Sequence, residues 1–479
     1  MSKQPSGSSG IQQAEWGPVR RALAMSFLNT LVGRLGTFAV GIALARLLSP
    51  ADFGVYAVAL VTLYAMLSFN ELGVSLALVR WRTDPRAIAP TITTISLLSS
   101  AALYAGAWFA APVFATTLGA PDAVGVIRLL CLAVLIDGST AAAAQLVNRE
   151  FRQGTQLVVD NCNLALTCTT TISLAVAGFG PWSLAWGALV GNTLSALLLF
   201  RLAALWPRPG FDRSQIRALL AFGLPLAGAS LLVFAMLNID YVITGWLLGA
   251  VALGSYFLAF NLASLPVNVF SVVVRRVSFA AFAQAQDDSE SRHAALGRFV
   301  GLLAAATLPT CALLGLLALP LVTTLYGQQW AASAAALQFL AVLAAVRVAG
   351  ELAHDYLAGA GFPHRAMWLQ AGWVTALAAT LPLGALADGI RGVAIAHAAV
   401  AVVVMLPALV LTVHRTGVPV RTLTAGLSRP VLGTVLLVGV VLGVRWLTEP
   451  SLLQLALAGT LGALVYLPVV WPMRRILTT

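Results

Sequence analysis

Charge is what this chain has least of. Of 479 residues only 9% are charged and 17 are acidic, where soluble domains carry about a quarter charged residues. With 59% of its residues hydrophobic, its apolar surface exceeds what a soluble core absorbs, and it reads as a polytopic membrane protein. Lysine is nearly absent as well, Lys3 being the single one among 28 basic residues. The four cysteines, Cys131, Cys162, Cys168 and Cys311, sit inside apolar runs and form no CxxC, so they read as small buried hydrophobes rather than a disulfide framework. The five histidines make no HExxH, and neither a Gly-Lys-Ser/Thr phosphate loop nor a Gly-x-Ser-x-Gly elbow occurs. ATPase and zinc-hydrolase chemistry are thereby excluded, and no enzyme activity, metal or cofactor is expected.

What is present is length of apolar chain. Fourteen runs are each long enough to cross a hydrocarbon layer of about 30 Å as a helix. They fall near 22–45, 53–79, 88–110, 123–147, 156–178 and 182–204, then 219–247, 251–274, 297–319, 331–357, 366–387 and 391–413, with 430–447 and 452–472 last. Continuous Leu/Ala/Val/Gly runs exclude the ten-residue alternation of a membrane β-barrel. Residues 1–21 are expected to be a disordered cytoplasmic N-terminus, and no small-residue cleavage site follows the first run, which is expected to stay in the membrane.

The excess of basic residues is sided rather than clustered, which argues for a membrane and against nucleic acid. Between alternate runs and at the ends lie 22 of the 28, the opposite side holds Arg46, Arg128, Arg391 and Arg445, and Arg34 and Arg347 lie inside runs. By the positive-inside rule both termini are expected in the cytoplasm.

The chain also repeats itself. Leu47, Leu48, Gly54, Tyr56 and Ala59 recur 200 residues later as Leu247, Leu248, Gly254, Tyr256 and Ala259. "PVFATTLG" at 112–119 answers "PLVTTLYG" at 320–327, and Gly180 to Ala185 answers Gly389 to Ala394. Six runs followed by six in the same order imply an N-lobe at 22–205 and a C-lobe at 219–415, a parallel repeat about an axis near the membrane normal. The connection 206–218, with Pro207 and Pro209, joins them, and Ile216, Leu219 and Leu220 beside Arg213 and Arg217 suggest a short interfacial helix. The last two runs and the tail, 416–479, have no counterpart.

Three stretches taken together, "LARLLSPADFGVYA", "FDRSQIRALLAFGLPL" and "LPLVTTLYGQQW", resemble the polysaccharide-transporter branch of the multidrug/oligosaccharidyl-lipid/polysaccharide exporter superfamily over nearly the whole chain. The resemblance implies two six-helix lobes around a cavity that opens alternately to each side of a bacterial inner membrane. It implies an undecaprenyl-diphosphate-linked oligosaccharide as substrate, flipped to the outer leaflet for surface polysaccharide synthesis, with membrane lipids, a polysaccharide polymerase and glycosyltransferases as partners. A cation antiporter and a peptidoglycan-precursor flippase are the alternatives.

Charges placed where lipid should be are the candidate site residues, because each costs about 2.5 to 3.5 kcal/mol or more at the middle of a span. Arg34, with Asn29 one turn before it, lies near the middle of the first run and is either a guanidinium that pairs with the passing diphosphate or a structural ion-pair partner. Asn238 and Asp240 on run 7 are its candidate counter-group. Arg347, Glu351 and Asp355 share one face of run 10 at i, i+4 and i+8, either a self-neutralising cluster or a gate with ion-coupling carboxylates, and Asp137 on run 4 carries the same ambiguity. Arg80, Arg275 and Arg276 close runs 2 and 8, either as membrane anchors or as a vestibule that concentrates phosphate.

Overall fold

Polar backbone cannot be left bare in hydrocarbon, so apolar runs of this length must close their hydrogen bonds within helices. The computed structural model shows that outcome, describing residues 36–70, 74–75, 78, 85–150, 152–284 and 289–473. Helices account for almost everything there. In the N-lobe they are α1 (Gly36–Leu47), α2 (Pro50–Phe69), α3 (Pro85–Thr117), α4 (Ala123–Leu130 and Leu132–Arg149, broken at Cys131), α5 (Gln153–Val176) and α6 (Pro181–Ala203). In the C-lobe, Arg213–Gln284 is one helical stretch divided by Gly249 into α7 (213–248) and α8 (250–284). There follow α9 (Ser289–Leu316, resumed as Ala318–Leu325) and α10 (Ala331–Gly359). Pro363–Ala399 is divided at Asp388 and Gly389 into α11 (363–387) and α12, which continues to His414 through a π-helical turn at Val400–Met405. The hairpin α13 (Ser428–Leu447) and α14 (Leu452–Val470) leans on α9, where Tyr466 donates to the Ala305 carbonyl at 2.6 Å.

The repeat is visible in the turns. Gly180 (φ 53°, ψ −133°) before α6 and Gly389 (φ 53°, ψ −137°) before α12 adopt the same left-handed backbone, which disfavours any side chain. Gly119 and Gly327, which end the paired motifs, both have positive φ. Between α1 and α2 the corresponding turn uses chemistry instead. Ser49 and Asp52 form a capping box, the Asp52 N–H donating to Ser49 Oγ at 3.2 Å and the Ser49 N–H to Asp52 Oδ2 at 2.8 Å.

One apolar cluster crosses both lobes at the end of the bundle that holds these turns, joining Leu48, Phe53 and Ala57 to Tyr256, Trp330 and Leu337. The opposite end has separate cores, Val74, Ile88 and Leu146 in one lobe and Val267, Leu352 and Val413 in the other. Leu219, expected on an interfacial helix, is fully buried in the N-lobe core. No separate interfacial helix forms there. The first turns of α7 run straight on from Arg213, because burying Leu219 beside Val74 and Ile88 holds the segment against the N-lobe. The connection before it is strapped to α3, Gly210 N–H donating to Thr94 Oγ1 at 2.9 Å and Thr94 Oγ1 to the Gly210 carbonyl at 2.7 Å.

Candidate functional site

The lobes are joined at the shared cluster by polar contacts as well as apolar ones. Arg46 at the end of α1 donates from Nε to the Leu325 carbonyl at 2.8 Å, and its guanidinium also reaches the Thr324 carbonyl. Trp330 Nε1 and Gln329 Nε2 return two bonds to the Ala45 carbonyl, at 2.8 and 2.9 Å. Beneath them α2 crosses α8 with almost no side chain between. A Cβ on Gly54 would overlap the Ala250 carbonyl, and a Cβ on Gly254 would overlap the Pro50 carbonyl. Those two contacts are exchanged by the offset of 200, so the seal is itself two-fold.

A cavity of about 440 Å³ opens within the C-lobe, walled by α7, α8, α10, α11 and α12. Asp240, Arg347 and Glu351 line it, with His354, Gln370 and His397. Asp240 is buried to 1% exposure. A bare carboxylate there costs several kcal/mol, and donors from α7 and α8 offset the cost. Asp240 Oδ1 accepts the Tyr241 N–H at 3.0 Å, Oδ2 accepts the Tyr256 hydroxyl at 3.0 Å, and His397 Nδ1 lies 3.8 Å from Oδ2. Arg347 donates to Ser264 Oγ at 3.3 Å and lies 5.2 Å from the Phe260 ring centre, where cation–π attraction substitutes for part of its hydration.

Sequence-predicted residues therefore divide. Asp240, Arg347 and Glu351 meet in one cavity, and Asp355 follows one turn along α10, half-buried. Asn238 turns back on its own helix, donating to the Phe234 carbonyl at 3.0 Å. Asp137 belongs to a second cavity of about 300 Å³ in the N-lobe. There Asn70 Nδ2 donates to Asp137 Oδ2 at 2.7 Å, and Ser100 Oγ donates to Asn70 Oδ1 at 2.5 Å. Arg34, Asn29 and Arg80 lie outside the described residues. Arg275 and Arg276 fall on α8, which continues to Gln284, ten residues past its expected end. The residues missed are His397, Tyr256 and Trp373. His397 had a legible signal, an ionisable side chain in the middle of an apolar run, which by itself marks a functional candidate.

Comparison with known proteins places this architecture. The polysaccharide biosynthesis protein family matches residues 43–335, more than half of the chain. The chain is 28% identical to the succinoglycan biosynthesis transport protein ExoT of Rhizobium meliloti over 338 residues, 69% of this chain and 68% of that one. It is 24% identical to the lipopolysaccharide biosynthesis protein WzxC of Escherichia coli over 64% of this chain and 63% of that one. Among solved structures it is similar to the lipid II flippase MurJ in an inward closed conformation, with a TM-score of 0.80 and 13% identity over 95% of this chain and all of that one. An inward-facing multidrug transporter of the MOP superfamily follows, with a TM-score of 0.65 and 16% identity over 82% of this chain and 96% of that one. Such identities speak to the fold alone. The family match and the helical architecture agree: the chain belongs to the polysaccharide biosynthesis protein family and is a membrane transporter rather than an enzyme.

Proposed function

We propose that the protein moves a diphosphate-linked oligosaccharide lipid, built on undecaprenol, from the cytoplasmic to the outer leaflet of a bacterial inner membrane. The observation that carries this is the seal: two lobes share a core at one end of the bundle and have separate cores at the other. The sealed end carries Arg46, Arg128, Arg391 and Arg445, the poorer side in the arginine count. By the positive-inside rule it is the outer end and the termini are cytoplasmic. The lipid tail stays in the bilayer while the headgroup enters between the lobes from below. Crossing hydrocarbon bare would leave hydroxyls unpaired and phosphates unsolvated, and a polar cavity with fixed guanidinium groups removes most of that barrier. Arg347 supplies one such group, and Arg34, on the sequence reading, supplies the other.

The choice over a cation antiporter rests on family membership rather than on charge, since the C-lobe cavity holds Asp240 and Glu351 beside Arg347. The test is a locked seal. In a chain cleared of its four cysteines, Arg46→Cys and Gln329→Cys joined by a short cleavable thiol reagent should stop export of surface glycan in a strain lacking its own transporter. Cleaving the reagent should restore export. Export that continues through the locked seal would end the alternating-access reading, and export by Arg34→Ala equal to the parent's at matched protein levels, with Arg34→Lys alongside, would remove Arg34 from it.

A further inference from the structure

Asp240, Tyr256 and His397 are each more than nine-tenths buried, and they come from α7, α8 and α12. Their polar atoms form a connected chain. Tyr256 Oη sits 3.0 Å from Asp240 Oδ2 and 3.5 Å from His397 Nδ1, and the carboxylate and imidazole are themselves 3.8 Å apart. A carboxylate that needed only to be satisfied has its two donors already, from Tyr241 and Tyr256. A second ionisable group on a third helix is superfluous for that purpose, and it is what a proton needs in order to have two places to rest.

The surroundings say what would move it. Among the described residues, the charged or titratable groups that share the cavity or touch the triad are Arg347, Glu351 and His354 on α10 and Tyr241 on α7, while α11 contributes the neutral Gln370 and Trp373. The Phe260 ring connects the two charge centres, its centre lying 5.2 Å from the Arg347 guanidinium and 6.3 Å from the His397 ring. Among the described residues that line this cavity, Arg347 is the fixed cation available to balance a carboxylate. An anion that engages Arg347 takes up that balance, and the second negative charge beside it favours protonation of the acid.

We infer that Asp240, Tyr256 and His397 form an exchangeable proton site in the C-lobe cavity, loaded when an anionic headgroup engages Arg347. The inference rests on the diphosphate-lipid reading above for its trigger, but the site itself does not. The proton comes from water at the cavity mouth, is held on the Asp240 carboxyl, and passes through Tyr256 Oη to His397 or back to water. Because three helices are tied through it, its gain or loss alters how α7, α8 and α12 are held together.

Infrared difference spectroscopy on the full-length protein in detergent or nanodiscs reads this directly. Without ligand, lowering the pH should bring up a protonated-carboxyl C=O band that Asp240→Asn lacks, Asp240→Glu shifts, and the exposed control Glu449→Gln retains. Adding farnesyl diphosphate as the probe at fixed pH should enlarge that band and draw a single proton per chain from a weakly buffered solution. His397→Gln should keep the band and slow its appearance. Absence of the band, its survival in Asp240→Asn, or a response to sodium rather than to pH would each overturn the inference. Probe binding without proton uptake overturns the trigger and leaves the transport reading standing. A pH-dependent band in a chain that does not bind the probe counts against the transport reading and leaves the proton site standing.

Discussion

The two lobes are copies in their backbone and differ in their chemistry. At the offset of 200 that pairs Tyr56 with Tyr256, Asp240 answers Val40 and Phe260 answers Leu60. At 208, Arg347 answers Ser139 and Glu351 answers Ala143, and at 209 His397 answers Ala188. Each charged or titratable group of the C-lobe cavity thus stands opposite an uncharged residue in the N-lobe. What both copies keep is the architecture: the Gly180 and Gly389 turns with nearly equal φ and ψ, and the reciprocal contacts of Gly54 with Ala250 and Gly254 with Pro50. The lesson is a division of labour. Elements that must move against each other are kept symmetric, because the crossing is shared, whereas the residues that line each lobe's own cavity are free to differ.

The widest test of the shared half is at the crossing. Gly54→Leu and Gly254→Leu should each lower the thermal unfolding midpoint strongly, since overpacking costs about 1–3 kcal/mol where a neighbour can give way, and here the neighbours are backbone carbonyls. The two effects should match, and a tolerated Gly254→Leu beside a damaging Gly54→Leu would break the symmetry claim. The unshared half is tested at the next level. Removing a charged donor is worth about 1.5–3 kcal/mol, or roughly ten- to a hundredfold. Arg347→Ala should therefore cut glycan export by about that factor, while Ser139→Ala at the matching N-lobe position should leave it within about twofold. Equal losses would mean that both walls bind. Smaller again is the N-lobe network. Asn70→Leu leaves Asp137 without its 2.7 Å donor and should cost about 1–3 kcal/mol in unfolding.

How much of this could be read from sequence follows the same division. The repeat was legible because symmetric packing demands the same small residues at the same register, as with Gly54 and Gly254. Asp240, Arg347 and Glu351 were legible because charge in an apolar run is conspicuous on a single line of text. Their company was not. Arg347 and Glu351 looked like a pair along one helix, and nothing in the spacing says that Arg347 reaches Ser264 and Phe260 on α8. Tyr256 read as a repeat marker, yet its hydroxyl is what joins Asp240 to His397, a contact 141 residues apart in the chain. The extension of α8 past residue 274 was hidden for another reason: a helix that leaves hydrocarbon loses its apolar signature without losing its backbone hydrogen bonds.

The finest test of the contrast lies in the matched glycine turns. Gly180 and Gly389 share φ 53° with nearly equal ψ, so a Cβ at either meets the same backbone penalty, about 1–3 kcal/mol for a region that is essentially glycine's alone. Around Gly389 an added Cβ meets nothing within 4 Å, and Gly389→Ala should show that penalty alone. At Gly180 the Cβ would come within 3.1 Å of Asp52 Oδ1, the carboxylate that caps α2 with Ser49. Gly180→Ala should therefore lose slightly more in thermal unfolding than Gly389→Ala. Replacing Asp52 with Ala in both backgrounds should bring the two losses together. If the gap persists without Asp52, its origin is not the N-lobe cap, and the turns are less alike than their dihedral angles say.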